Sequence, residues 1–192
     1  MPEKRTGREI LLLTVREGEK RMHIRKTEKQ EIPALLQMIR DAYIPYRKQT
    51  GDADLPSYTY AEIESLLDDP KSSVWAAEDN GRIAGIAAGT ELGPCAYHLK
   101  MLFVAGDSQH KGIGSTLLEQ FEKRGTELHH SLFTANYLDW AEWSRTFYGK
   151  HGYREYVPAD EEKHPGLKAQ ADFLRSIGRL NNGEKHLLWK IR

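Results

Sequence analysis

The sequence predicts an α/β (α+β) fold, a central sheet of about seven strands flanked by helices. Three observations carry this. Strand-like apolar runs and stretches of helical periodicity follow one another in the order β-α-α-β-β-β-α-β-α-β-β. Asp79-Asn80-Gly81 sits between two such runs and is a strong hairpin-turn signal. Met101-Leu102-Phe103-Val104 ends in a polar loop that opens through Gly112 and Gly114 into a helical pattern.

Residues 1–20 are charged at both ends around Ile10-Leu11-Leu12-Leu13-Thr14-Val15. They read as an N-terminal extension that is an added strand, a partner-binding segment or partly disordered. Residues 21–192 read as one domain, since 192 residues suit a single substantial core. His23–Lys26 is a short strand, and Thr27 is placed to cap a helix over Glu28–Ala42, with Ile32, Leu35, Leu36, Ile39 and Ala42 on one face. Tyr43–Tyr60 is loop-like, with Pro45, Gly51 and Pro56. Thr59 can cap a second helix that stops before Pro70. Ser73–Glu78 and Arg82–Gly89 form the hairpin, Tyr97–Val104 is the next strand, and the helix after the glycines runs to about Arg124. Ser131–Ala135, Tyr153–Val157 and His186–Ile191 read as strands, and Asp139–Lys150 as a helix that Gly152 can end in left-handed conformation. An insertion at about 158–185 holds a further helix-like stretch, Leu167–Ile177. It can cover an acceptor site, build an oligomer contact or pack on the sheet edge.

Composition excludes several classes of function. Lys plus Arg and Asp plus Glu both number 28, so no net field favours nucleic acid or an anionic membrane. Cys95 is the single cysteine, which rules out a disulfide framework and a cysteine metal site. The eight histidines lack ligand spacing, and His129-His130 would point to opposite sides of a strand, so no metal is expected. No apolar run approaches the roughly 20 residues that span a bilayer. A soluble cytoplasmic protein is the expectation.

The glycine loop carries the chemistry. The first turn of a helix leaves backbone N–H groups unpaired, and the helix dipole adds partial positive charge. Gly112 and Gly114 let a phosphate approach that backbone, with His110 and Lys111 at the rim. Lys111 precedes the glycine, unlike a mononucleotide P-loop, and a third glycine for a dinucleotide fingerprint is missing. The pattern Gln109-x-x-Gly112-x-Gly114 after Leu102-Phe103-Val104 closely resembles the acetyl-CoA loop of the GNAT superfamily of N-acetyltransferases. Ser144-Arg145-Thr146-Phe147-Tyr148-Gly149-Lys150-His151-Gly152-Tyr153 resembles the same superfamily's Phe-Tyr-x-x-x-Gly-Phe/Tyr motif. The two motifs span roughly a quarter of the chain, and the element order fits the rest.

The resemblance implies a GNAT-like acyl-CoA N-acyltransferase fold, its mixed and mostly antiparallel sheet splayed between strands four and five. It implies acetyl-CoA as co-substrate and direct transfer of acetyl to a primary amine in a ternary complex, with no metal. Pantetheine would pair with the backbone of Leu102, Phe103 and Val104. The pyrophosphate would fall on Gln109, His110, Lys111, Gly112, Ile113, Gly114 and Ser115. Tyr148 would be the general acid for the leaving thiolate, with Phe147 in the core. A family asparagine seven residues before the tyrosine is Ala141 here; Asn136 is the candidate replacement. No acid stands at Thr134 or Asn136, where some members hold one, and Glu91 and His98 are the remaining candidates for a base. An acidic first-helix region (Asp52, Asp54, Glu62, Glu64, Asp68 and Asp69) suits a cationic acceptor or is merely a solvated face. Tyr58 and Tyr60 could wall that acceptor side or simply pack. Homodimers occur among such proteins. The alternative is a non-catalytic acyl-CoA-binding sensor or protein-interaction module on the same scaffold.

Overall fold

A computed structural model describes residues 22–44, 58–180 and 185–192; the N-terminal extension and most of the loop after the first helix lie outside them. The elements are β1 (Met22–Lys26), α1 (Ile32–Tyr43), α2 (Tyr60–Asp68), β2 (Ser72–Asp79), β3 (Arg82–Leu92) and β4 (Ala96–Val104). They continue with α3 (Ile113–Glu127), β5 (Leu132–Leu138), α4 (Glu142–Lys150), β6 (Arg154–Glu155), α5 (Pro165–Ser176) and β7 (Lys185–Ile191). The seven strands form one sheet in the order β1-β2-β3-β4-β5-β7-β6. Every neighbouring pair is antiparallel except β4 and β5.

Local chemistry sets most of these boundaries. Asp79 pairs with Arg82 across Asn80 and Gly81, whose φ values of 52° and 78° are those of a two-residue type I′ turn. Thr59 and Glu62 form a reciprocal capping box at the start of α2. At α1 the expected cap is displaced. The Thr27 backbone N–H still donates to the Val74 carbonyl (3.2 Å), so the chain turns one residue later, through a box made by Glu28 and Glu31. A 3-10 turn over Lys29–Glu31 then leads into α1. The predicted strand at Tyr153–Val157 shrinks to Arg154–Glu155, because the Tyr153 N–H is held by the Tyr148 carbonyl at the end of α4. His129 and His130 are not on a strand. His129 takes the left-handed conformation (φ 65°) after α3, and the His130 N–H closes back on the Gly125 carbonyl.

Three apolar clusters hold the layers together. Leu117, Leu118 and Phe121 of α3 pack with Trp75, Ala87, Tyr97, Leu99 and Phe133 on one face of the sheet. Leu35, Met38 and Ile39 of α1 and Ile63 of α2 pack with Val74, Ile86, Ala88 and Met101 on the other. Leu167, Ala171 and Leu174 of α5 cover Ala96, Leu132, Leu187 and Trp189. Strict alternation would put Tyr97, Leu99, Met101 and Phe103 of β4 on one face. A bulge prevents it: the register passes from Leu99 opposite Gly89 to Met101 opposite Ala88, and Lys100 is the extra residue. Tyr97 and Leu99 therefore face α3, while Met101 and Phe103 face α1 and α2.

Candidate active site

The two central strands come apart beside that bulge. β4 pairs with β5 only over Ala96–Leu99 and Leu132–Ala135. Beyond Leu99, β4 stays with β3 as far as Val104, while β5 stays with β7 as far as Leu138. The divergence opens a cleft of about 1450 Å³ walled by Leu99–Val104 on one side and Asn136–Leu138 on the other. Beyond Leu99 that edge of β4 has no ladder partner in β5 and lines the cleft, where an amide-bearing ligand can pair as an added strand.

At the end of β4 the glycine loop is held from outside. The Arg82 guanidinium forks onto the Asp107 carboxylate at 2.9 and 2.8 Å, and Ser108 joins them. Those hydrogen bonds, the one from Arg82 foremost, push the Asp107 carboxyl down to about 2. The Gln109 side chain donates to the Val104 carbonyl (3.2 Å), and the Lys111 ammonium to the Asp107 carbonyl (2.6 Å). Gly112 has φ 84°, which an L side chain adopts only under strain, and a Cβ there would meet nothing within 4 Å. The helix that follows has no side-chain cap and no acid in its first turn. Its unpaired N–H groups and dipole thus meet a ligand without competition, as an anion site requires. Gln109, His110, Gly112, Gly114 and Ser115 line the cleft. Ile113 turns its side chain into the core, and only its backbone is available.

Tyr148 reaches the cleft from α4 and is 6% exposed, packed on Tyr153 and Phe147. Burial first, then the nearby Tyr58 phenol, raises its pKa above the ordinary tyrosine value. Phe147 lies against Gly114 and also lines the cleft, so the expected division of core Phe147 from cleft Tyr148 is not found; Tyr148 is the more buried. Asn136 stands at the splay, with its amide nitrogen 3.3 Å from the His186 carbonyl. His98 lines the foot of the cleft, nearly buried, its Nδ1 3.0 Å from the hydroxyl of fully buried Thr134. Glu91 also lines the cleft, with its carboxylate 3.3 Å from His130.

A family model for an acetyltransferase (GNAT) domain matches residues 47–169. The chain belongs to the GNAT acetyltransferase family. Solved structures share the fold. A PaiA N-acetyltransferase from Thermoplasma acidophilum, in complex with coenzyme A, superposes with a TM-score of 0.71 at 15% identity, over 90% of this chain and 99% of its own. A GNAT-family acetyltransferase from Staphylococcus aureus gives 0.68 at 17% identity, over 89% and 99%. An N-acetylglutamate synthase from Neisseria gonorrhoeae, complexed with coenzyme A and N-acetyl-glutamate, gives 0.62 at 21% over 90% of this chain and 35% of its own. No curated relative matches by sequence.

In this GNAT domain one end of the cleft is lined from α1, α2 and the residues next to them. Tyr43 and Tyr58 pack against Phe103, with centroids 5.3 and 5.7 Å apart. Burial raises the pKa of both phenols, with Tyr58 and Tyr148 adding to the effect at Tyr43 and Glu62 adding to it at Tyr58. Tyr43 was not foreseen in the sequence, where it marks only the start of the loop-like stretch that holds Pro45. Tyr60 is about half exposed and lies outside the cleft. Of the acidic residues, Glu62 and Asp69 line the cleft, whereas Glu64 and Asp68 pair with Lys29 at 3.4 and 2.7 Å. Asp52 and Asp54 lie outside the described residues. Trp140 and Trp143, with centroids 5.3 Å apart, flank Ala141 and line the wall beyond β5. Leu174, near the end of α5, and Arg179, just beyond it, line the same cleft. Among the described residues no metal-holding group is found, and no helix is long and apolar enough to cross a membrane.

Proposed function

We propose that this chain is an acetyl-CoA-dependent N-acetyltransferase that transfers an acetyl group to a primary amine by direct attack in a ternary complex. The observation that carries this reading is the run of the β4–β5 splay into an uncapped, acid-free helix start, with a buried tyrosine hydroxyl alongside. Backbone at Leu102, Phe103 and Val104 binds pantetheine, and Gln109 through Ser115 cradles the pyrophosphate. Asn136 contributes at the splay. The amine nitrogen bonds to the acetyl carbonyl carbon, the carbon–sulfur bond breaks, and Tyr148 gives its phenolic proton to the departing thiolate. His98 takes the proton that the amine loses, directly or through water. Glu62 and Asp69 favour an acceptor that carries positive charge.

Calorimetric titration with acetyl-CoA and CoA, followed by an amine screen beginning with polyamines and aminoglycosides, tests the reading. Saturable binding with turnover of an amine supports it. Binding without turnover of any amine transfers the assignment to an acyl-CoA-binding sensor or interaction module, a reading that the replacement of the family asparagine by Ala141 favours. No binding by folded protein makes the glycine loop a turn and nothing more.

A further inference from the structure

The cradle contains a hydrogen bond that the acetyl-transfer chemistry does not use. Ser115, in the first turn of α3, places its hydroxyl 3.0 Å from Nε2 of His151, at the C-terminal end of α4. Ser115 lines the cleft and His151 is half-buried, its ring tilted against Phe147 at 4.7 Å. The serine therefore stands between the histidine and the position of a phosphate bound at the helix start.

A serine hydroxyl carries a single proton. Without ligand it can donate to Nε2, provided that Nε2 bears no proton. Once the serine hydroxyl donates its hydrogen bond to a phosphate oxygen, Oγ can only accept from the histidine, and Nε2 must bear a proton to donate. The ligand therefore selects either the Nε2–H tautomer or the imidazolium. A charged donor makes the stronger hydrogen bond and adds an attractive charge near the phosphates. The C-terminal end of α4 also favours a cation at position 151. We propose that His151 is a proton-linked positioning residue for the coenzyme: through Ser115 it fastens the pyrophosphate and makes affinity rise as the imidazole gains its second proton. The proposal rests on the acetyl-CoA reading above.

Other charges on the surrounding elements shape this response. Lys150 neighbours His151 in the chain, Lys111 lies on the glycine loop and Arg154 on β6. Lys190 of β7 passes Gly152, its Cε 3.7 Å from where a Cβ would be. Against these cations stand Glu119, one turn beyond Ser115, and Glu122, which is held by Lys190 and Arg192. A phosphate ligand adds negative charge beyond Ser115, which favours a donor at Nε2 that carries positive charge.

The test is CoA affinity by calorimetry from about pH 6 to about pH 8.5, for the wild type, His151→Gln and His151→Leu. Glutamine keeps an N–H donor and does not titrate; leucine keeps bulk and removes the donor. CoA's own phosphate also titrates, with the opposite sign, and the glutamine variant records that contribution alone. The expected result is wild-type affinity roughly five- to tenfold higher at the acid end relative to His151→Gln, with the two converging at the alkaline end. His151→Leu should be weaker than both at every pH. Repeating the wild-type titration in buffers of different ionisation enthalpy should reveal proton uptake that His151→Gln lacks. Parallel pH profiles and equal proton uptake in wild type and His151→Gln would overturn the inference while leaving CoA binding intact. Failure of the folded wild type to bind CoA at any pH overturns the coenzyme reading itself.

Discussion

Tyr148 combines two properties that a proton donor to a thiolate needs. Its ring is fixed between Phe147 and Tyr153, and burial keeps its phenol protonated well beyond neutral pH. Tyr148→Phe preserves the packing and removes only the hydroxyl. It should lower kcat by about 10²- to 10⁴-fold while leaving CoA affinity close to wild type, as steady-state kinetics and calorimetry would show. Because the folded phenol titrates above the ordinary range, no alkaline decline of the rate near pH 10 should arise from this residue. His98 offers the complementary measurement. A base must take the amine proton as the new bond forms, so His98→Gln should lower kcat by about 10²- to 10⁴-fold in steady-state kinetics while leaving CoA affinity close to wild type. Glutamine retains hydrogen-bonding capacity toward Thr134, which separates loss of the base from loss of the fold. The sequence showed Tyr148 through its motif. It could not single out His98 from Glu91, since the β4–β5 pairing that sets His98 against Thr134 and the contact that sets Glu91 against His130 are both tertiary.

The glycine loop and α3 act as a unit, and their two glycines do different work. Gly112 is needed for its left-handed backbone, so Gly112→Ala should cost about 1–2 kcal/mol of stability despite ample space. Gly114 lies inside the helix, where a Cβ would be 3.5 Å from the Phe147 ring, an ordinary contact. Gly114→Ala should therefore stabilise by about 0.4–1 kcal/mol, and chemical denaturation of the two variants should move in opposite directions. The Arg82–Asp107 fork has a pH signature of its own. The Asp107 carboxyl is depressed in the folded protein to about 2, below the ordinary value of about 3.9. Its contribution is complete above the ordinary value and is lost as pH falls toward about 2. Both partners are exposed, so the contribution is small. The thermal midpoints of wild type and Asp107→Asn should differ near neutrality and converge in acid. The loop's position was legible from Leu102–Ser115, but the role of Arg82 was not, because a hairpin brings it there from 25 residues away.

Across the whole molecule, a buried ion pair joins the last strand to the helix that follows the glycine loop. Glu122 of α3, 3% exposed, receives the Lys190 ammonium at 2.8 and 3.0 Å, with Arg192 at 3.4 Å. Removing the carboxylate leaves a partly buried lysine without its counter-charge. Glu122→Ala should cost about 3 kcal/mol, read from the urea midpoint at unchanged m-value. Helical periodicity alone would place a glutamate at this position on a solvated face, since its partners lie 68 and 70 residues further along the chain.

Local rules therefore settled the element order, the Asp79–Arg82 hairpin, the Thr59 cap, the turn at Gly112 and the helix that carries Tyr148, because each depends on neighbours within a few residues. Where contacts span tens of residues, only the folded chain decided the outcome. Thr27 did not cap α1 because Val74 held its backbone, and Tyr153 did not begin a strand because Tyr148 held its own. The bulge at Lys100, the parting of β4 from β5, the aromatic wall of Tyr43 and Tyr58 on Phe103, and the pairing of Ser115 with His151 belong to this second class. The physical reason is that a sequence pattern states which face of an element is apolar, whereas register and packing between distant elements fix what that face meets.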